Sequence, residues 1–310
     1  MEKHKVVIIG SGPAGYTAGI YSARADMKPV LFAGREPGGQ LMLTSEVENW
    51  PGEDEGIMGP ELMENLRKQA QRFGTDIRQD VVTKVDLSNR PFRIETETGK
   101  ELFAESVIIS TGAVAKWLDI PGEKDFQGKG VSACATCDGF FFRDKKVVVV
   151  GAGDSAMEEA TFITKFASEV HILVRKGQSD MKASKIMQEK ALNNPKIKFH
   201  FYTQPLELVG DTKLTGVKIK NTETNEESLL ETDGFFVAIG HKPNTELFKG
   251  QIELDEVGYI VRQPNSTKTS VEGVFACGDV IDHYYRQAIT ASGTGCMAAL
   301  DSERWLSAQE

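Results

Sequence analysis

Lys5-Val6-Val7-Ile8-Ile9-Gly10-Ser11-Gly12-Pro13-Ala14-Gly15 runs an apolar segment of strand length into the spacing G-x-G-x-x-G. A helix-like stretch follows, from Tyr16 to about Ala25. In this strand–turn–helix setting each glycine has a mechanical task. Gly10 permits the tight turn, Gly12 lets a pyrophosphate approach the backbone, and Gly15 lets helix and strand pack closely. The phosphates of a dinucleotide would sit at the helix N-terminus, among unpaired N–H groups at the positive end of the dipole.

The same arrangement returns at Lys145-Lys146-Val147-Val148-Val149-Val150-Gly151-Ala152-Gly153-Asp154-Ser155-Ala156, with a helix-like stretch from about Ser155 to Phe166. One such motif is a weak signal. Two, each placed between a strand and a helix, imply two dinucleotide sites. The chemistry that needs two is hydride passage between a nicotinamide and a flavin.

The second strand of each unit bears on which ligand goes where. Glu169 to Val174 reads as a strand ending in Arg175-Lys176, with Lys182 further on. An NAD site would place an acid here to accept from the ribose hydroxyls, whereas basic residues suit the 2′-phosphate of NADP. A solvated basic loop is the alternative. In the first unit, Pro29 to Ala33 is the corresponding strand. It ends at Gly34 without an acid, and Gly38-Gly39-Gln40 would serve through backbone and amide groups.

Further along, Ser106 to Ala113 is an apolar strand entering a turn at Thr111-Gly112, and Phe235 to Gly240, through Ile239, repeats the pattern. Val274 to Asp279 is one more short strand, followed by a helical C-terminus from about Arg286 to Leu306. The expected fold is α/β: two doubly wound, Rossmann-like nucleotide-binding domains, the second inserted into the first. Residues 1–115 and 245–310 would form the first domain and 116–244 the second.

Bulk properties exclude several function classes. The chain has 310 residues, enough for two domains with cores of their own. Its 36 basic and 45 acidic residues give a net charge of −9 without basic clustering, which argues against a nucleic-acid or anionic-membrane surface. No apolar stretch approaches a membrane span or a secretory signal core, so a cytoplasmic location is expected. Four cysteines, at 134, 137, 277 and 296, are no secreted disulfide framework.

Cys134-Ala135-Thr136-Cys137-Asp138 precedes the second dinucleotide strand. The spacing brings two sulfurs within bonding reach in a tight turn or a first helical turn. It also serves half of a zinc site, but no second cysteine pair or histidine spacing supplies the other half. Two buried, inert thiols are a further alternative. The remaining reading is a dithiol/disulfide that takes electrons from flavin and passes them to another disulfide. Asp138 would shuttle the proton if burial raises its pKa, or else cap a turn. Cys277 and Cys296 read as packing residues.

Gly10 to Gly15, Gly38-Gly39-Gln40-Leu41, Glu48-Asn49-Trp50-Pro51-Gly52, Ala133 to Gly139 and Gly278-Asp279 through Arg286-Gln287-Ala288 together resemble the low-molecular-weight thioredoxin reductases. The resemblance runs nearly end to end. It implies a homodimer with FAD in the discontinuous domain, NADPH in the inserted one, and thioredoxin as the partner. On the flavin side it implies Gly10, Ser11, Gly12, Pro13, Ala14, Gly15, Ala33, Gly34, Gly38, Gly39, Gln40, Leu41, Asn49, Val82, Thr111, Gly112, Gly278, Asp279, Arg286, Gln287 and Ala288. On the NADPH side it implies Gly151, Gly153, Asp154, Ser155, Ala156, Arg175, Lys176, Lys182, Ile239 and Gly240. Cys137 would lie nearer the flavin, Cys134 would attack thioredoxin, and Asp138 would be the acid/base. Phe140 and Phe141 would meet thioredoxin. No metal is implied.

The sequence reads to Gln309-Glu310 without the cysteine-bearing tail of the larger class of these enzymes. Two departures stand out. The basic segment from Arg175 to Lys182 is longer than the family's usual version, and Cys277 stands where the family usually has alanine. A reductase for a peroxiredoxin-like partner, and a flavin-binding redox sensor without turnover, remain as rivals.

Overall fold

The computed structural model describes residues 2–44 and 46–309. The chain divides into two compact units, Met1–Val114 with His241–Glu310, and Ala115–Gly240. The second is therefore an insertion in the first.

The first unit is built on a seven-stranded sheet. Strands Asp76–Arg78, Val30–Phe32, Glu2–Ile9 and Glu101–Ile109 lie side by side in parallel. The edge of Glu101–Ile109 is shared. Its first half pairs antiparallel with Phe92–Thr96, and its second half pairs parallel with Val274–Ala276 from the far end of the chain. Side chains alternate between two cores, as the two-residue period of a strand requires. Val6, Ile8, Leu31, Ile108 and Phe275 face helices Pro13–Arg24, Gly59–Arg72 and Ala288–Ser307. Val7, Ile9, Val30, Phe32, Val107 and Ile109 face a second cluster with Ile94, Phe248 and Ile260. Burial on both faces is why these strands read as unbroken apolar runs.

The second unit has five parallel strands in the order Val131–Ser132, Gly234–Val237, Lys146–Val150, Glu169–Leu173, Ile197–His200. Val147, Val149 and Ile172 pack with Ala156, Met157 and Ala160 of helix Asp154–Ile163. Val148, Val150 and Phe235 pack with Leu208, Leu214 and Val217. These last belong to an antiparallel three-stranded sheet, Thr203–Gly210, Leu214–Asn221 and Glu227–Glu231. One face of this parallel sheet is thus covered by helices and the other by strands.

Element ends differ from the sequence expectation for local reasons. The first helix begins at Pro13 rather than Tyr16, because proline fits a first-turn position that needs no N–H donor. The second dinucleotide helix ends at Ile163, short of Phe166, where the Thr161 and Thr164 hydroxyls bond to carbonyls of the preceding turn. The C-terminal helix starts at Ala288, not Arg286. Arg286 is left-handed (φ 48°) and Gln287 is an extended N-cap that forms a capping box with Thr290.

Helices Pro13–Arg24 and Ala288–Ser307 touch along much of their length, and a Cβ on Gly295 would overlap the Ala14 carbonyl. Intrinsic propensity favours Gly295→Ala by about 1 kcal/mol, but overpacking costs about 1–3 kcal/mol or more. Gly295→Ala is expected to lower Tm in calorimetry, whereas Gly293→Ala, with open space around it, should leave Tm unchanged or raise it.

Candidate active site

The first dinucleotide turn is set by close backbone approach. Gly10 has φ 115°, and a Cβ there would overlap the Ser110 carbonyl at the end of the neighbouring strand. A Cβ on Gly15 would overlap the Gly10 carbonyl, whereas one on Gly12 would meet nothing within 4 Å. The turn is therefore closed everywhere except at Gly12, the position read from sequence as open to a pyrophosphate.

Other expected positions gather around it. The Ser11 hydroxyl donates to the Ala33 carbonyl (2.8 Å) and accepts from Gly38 N–H (3.1 Å). A Cβ on Gly39 would lie 3.5 Å from Gly12 Cα, and Gln40 and Leu41 continue in the short helix Gly39–Leu43. A Cβ on Gly278 would lie 2.8 Å from Ala14 Cβ, which places Gly278-Asp279 against the same turn. Thr111 exchanges two hydrogen bonds with Asn244, and Gly112 accepts a third from its N–H. Asn49 donates to Gln287 at 3.3 Å, just before Ala288. Gly34 donates to the Asp80 carbonyl, two residues before Val82, whose own side chain packs into the second-face core. Arg286 donates to the His283 carbonyl.

Asp279 stands out electrostatically. Its Oδ1 is buried with no hydrogen-bond partner among the described residues. Burial, reinforced by Asp282 and opposed by Arg286, lifts its pKa to about 7. A buried carboxyl oxygen without a protein donor is an acceptor for a ligand hydroxyl.

The second turn repeats the construction. A Cβ on Gly151 would overlap the Ala238 carbonyl and crowd Ala156 Cβ, while Gly153 faces open space. Ile239 and Gly240 follow directly. Ile239 packs against the core, and the Gly240 carbonyl accepts from Lys116 N–H. The Asp154 carboxylate accepts from the Ser184 N–H (2.8 Å) and hydroxyl (2.9 Å). Lys182 and Ala183 N–H both donate to the Ala152 carbonyl. The long basic segment is thereby folded back onto the glycine turn, which brings Lys182 to the motif. Arg175, Lys176 and Lys182 are exposed, and their side chains pair with no described carboxylate.

Cys134 and Cys137 form a disulfide (S–S 2.08 Å, Cα–Cα 5.3 Å). Neither sulfur is left as a free thiolate for zinc, and neither is a separate inert thiol. Cys134 is the N-cap of the short helix Ala135–Asp138. Its Sγ accepts from Cys137 N–H (3.3 Å) and lies 3.4 Å from the Thr136 hydroxyl. Cys134 is half-buried and Cys137 exposed. Asp138 is half-buried, and burial raises its pKa against the opposing hydrogen bond from Ser132. The Ser132 hydroxyl also accepts from Cys134 N–H at 3.0 Å, so one serine holds both ends of the motif. Sequence reasoning missed Ser132, although a serine two residues before a turn is a recurrent local cap.

Phe140 and Phe141 are 52% and 38% exposed, unlike the buried Phe142. Cys277 is fully buried, and burial lifts its thiol to about 12, an inert packing group. Cys296 is half-buried on the C-terminal helix. Sequence reasoning also missed a contact between His171 and His200 (2.7 Å), which lie on adjacent strands and share no sequence spacing.

A family model described as pyridine nucleotide-disulphide oxidoreductase matches residues 4–295. The sequence is 54% identical over 307 residues to a thioredoxin reductase of Mycolicibacterium smegmatis, covering 99% of this chain and 98% of that one. A thioredoxin reductase structure from Giardia duodenalis superposes with a TM-score of 0.95 at 43% identity, covering 99% of this chain and 100% of that chain. One from Streptococcus pyogenes gives 0.93 at 36% identity, covering 99% of each.

The Asp279 carboxyl gives a pH signature in cofactor-free protein. Its folded pKa is raised, so between about pH 4 and 7 the folded state holds a proton that the unfolded chain has released. Stability from this group therefore falls as pH rises through that window and levels off above it. Urea unfolding of wild type and Asp279→Asn at pH 5 and pH 8 should show the variant gaining up to about 3 kcal/mol relative to wild type at the higher pH. A constant difference would mean that the carboxyl keeps an ordinary pKa.

Proposed function

The chain belongs to the pyridine nucleotide-disulphide oxidoreductase family, and we propose that it acts as a low-molecular-weight thioredoxin reductase. Electrons would pass from NADPH through FAD to the Cys134–Cys137 disulfide and on to thioredoxin. The observation that carries this reading is the disulfide itself, with Asp138 adjoining it, in a chain similar to thioredoxin reductases over its whole length.

The residues present fit the two cofactors. FAD is assigned to the first unit by the open Gly12, the Ser11 link to Ala33 and Gly38, and the unpaired buried oxygen of Asp279, which suits a hydroxyl of the flavin's side chain. NADPH is assigned to the second unit by the open Gly153 and the unpaired cations Arg175, Lys176 and Lys182. When bound, the two cofactors supply hydride and electron-pair transfer.

The chain's own residues do the sulfur chemistry. Opening the Cys134–Cys137 bond takes two electrons and two protons and leaves two thiols. Asp138, its pKa raised, supplies and recovers a proton at these sulfurs. As a thiolate, Cys134 Sγ is stabilised by Cys137 N–H and the Thr136 hydroxyl, which favours it as the attacking sulfur. It bonds to one sulfur of thioredoxin's disulfide and displaces the other. Cys137 then attacks Cys134 Sγ, re-forms the disulfide, and releases thioredoxin as the dithiol. Phe140 and Phe141 form an exposed apolar surface beside the motif for that partner.

Tyr21, Ile289, Met297 and Leu300 leave apolar surface on helices Pro13–Arg24 and Ala288–Ser307, which supports a homodimer. A monomer in sedimentation would remove that part of the reading. No helix among the described residues is long and apolar enough to cross a membrane. A cytoplasmic site of action is proposed from the scarcity of cysteine and the redox pair.

The test is NADPH oxidation with thioredoxin as acceptor. Wild type should turn over. Cys134→Ser should bleach the flavin with NADPH yet leave thioredoxin oxidised, a loss of at least about a thousandfold in turnover, because the variant has neither the disulfide that takes the electrons nor the sulfur that attacks. Arg175→Ala should raise KM for NADPH about tenfold and leave NADH unchanged. Flavin bleaching without reduction of thioredoxin by wild type would instead indicate a different disulfide partner or a sensor.

A further inference from the structure

We propose that Tyr202 is a specificity-determining residue for the 2′-phosphate of the nucleotide held by the second unit. The inference rests on the reading of that unit as the NADPH site.

Tyr202 follows strand Ile197–His200, beside the strand Glu169–Leu173 that leads into Arg175-Lys176. Backbone hydrogen bonds fix it to that basic segment. Tyr202 N–H donates to the Lys176 carbonyl (3.1 Å), and Thr222 N–H donates to the Tyr202 carbonyl (2.6 Å). The Thr222 hydroxyl donates to the Arg175 carbonyl (3.1 Å). Tyr202 itself is left-handed, with φ 53°. A bulky side chain rarely adopts this conformation, and it persists where the surroundings impose it.

The phenol lies across Gly177. A Cβ there would sit 2.5 Å from the Tyr202 hydroxyl oxygen and 2.9 Å from Cζ, so the glycine is what gives the ring its place. Tyr202 is 37% exposed, and its hydroxyl hydrogen-bonds to no described residue. A hydroxyl donor thus stands against the loop that carries Arg175 and Lys176, whose far end brings Lys182 to the glycine turn. The Asp180 carboxylate lies beside the same glycine, 3.6 Å from where a Cβ on Gly177 would stand. With an acid there, net charge discriminates weakly between nucleotides, and a directed donor to a phosphate oxygen adds what charge alone does not.

The experiment compares wild type and Tyr202→Phe holoenzymes by calorimetric titration with 2′,5′-ADP and with 5′-AMP, alongside Tm. Removal of the hydroxyl alone should weaken 2′,5′-ADP about tenfold and leave 5′-AMP and Tm unchanged. The NADPH-to-NADH ratio of KM should shift by the same factor. Unchanged 2′,5′-ADP affinity, or an equal loss for both nucleotides, overturns the assignment. If wild type binds 2′,5′-ADP no more tightly than 5′-AMP, the phosphate-site reading falls and Tyr202 falls with it. Wild-type discrimination that survives in Tyr202→Phe removes Tyr202 alone.

Discussion

Both units depend on one steric constraint: a glycine pressed against the carbonyl at the end of the adjacent strand. Gly10 meets Ser110 in the first unit, and Gly151 meets Ala238 in the second. Any side chain at either glycine would push the two strand ends apart. Because no side chain is present, the strand can turn at once into a helix whose N-terminus points at the gap. Gly12 and Gly153 keep that gap free. The chain also leaves each unit just beyond the same carbonyls, through Ala113–Ala115 and His241–Pro243. Each crossing therefore starts within a few residues of the carbonyl against which a glycine turn packs.

Much of this was legible because it is local. Strand runs such as Val6 to Ile9 and Val147 to Val150 are apolar at every position, and in the structure successive residues enter opposite cores. The glycine spacing and the cysteine motif each lie within a dozen residues. The parts that were not legible depend on distant partners. The packing of Val82 into the second-face core, the contact of His171 with His200, and the phenol across Gly177 each need two strands brought together. The antiparallel sheet from Thr203 to Glu231 was likewise hidden, because Glu227–Glu231 is largely exposed and the other two strands bury only some of their residues, so none carries a continuous apolar signal. The helix ends shifted where a single residue overrode periodicity, as with left-handed Arg286.

Two acids show how burial alone can prepare a group for different work. Asp138 and Asp279 both have pKa values raised by desolvation. Asp138 keeps the Ser132 hydroxyl as a partner, and that serine also holds Cys134 N–H, so the acid is tied to the sulfurs whose protons it would handle. Asp279 has no donor at Oδ1 and faces the like charge of Asp282, so its environment is incomplete until something else supplies a hydrogen bond. The first arrangement suits proton transfer. The second suits recognition, since a ligand that relieves an unsatisfied buried group gains from doing so.

The shared edge of strand Glu101–Ile109 has a consequence for how the protein is made. Its second half waits for Val274–Ala276, and helix Pro13–Arg24 waits for Ala288–Ser307, both of which are made after the inserted unit. The inserted unit is continuous from Ala115 to Gly240 and holds all its own strands well before then. Synthesis from the N-terminus thus delivers a completed inner domain while the outer one still lacks a strand and a helix. Gly278 and Asp279, proposed above to hold the flavin, arrive only with that closing strand, after the inserted unit has been made.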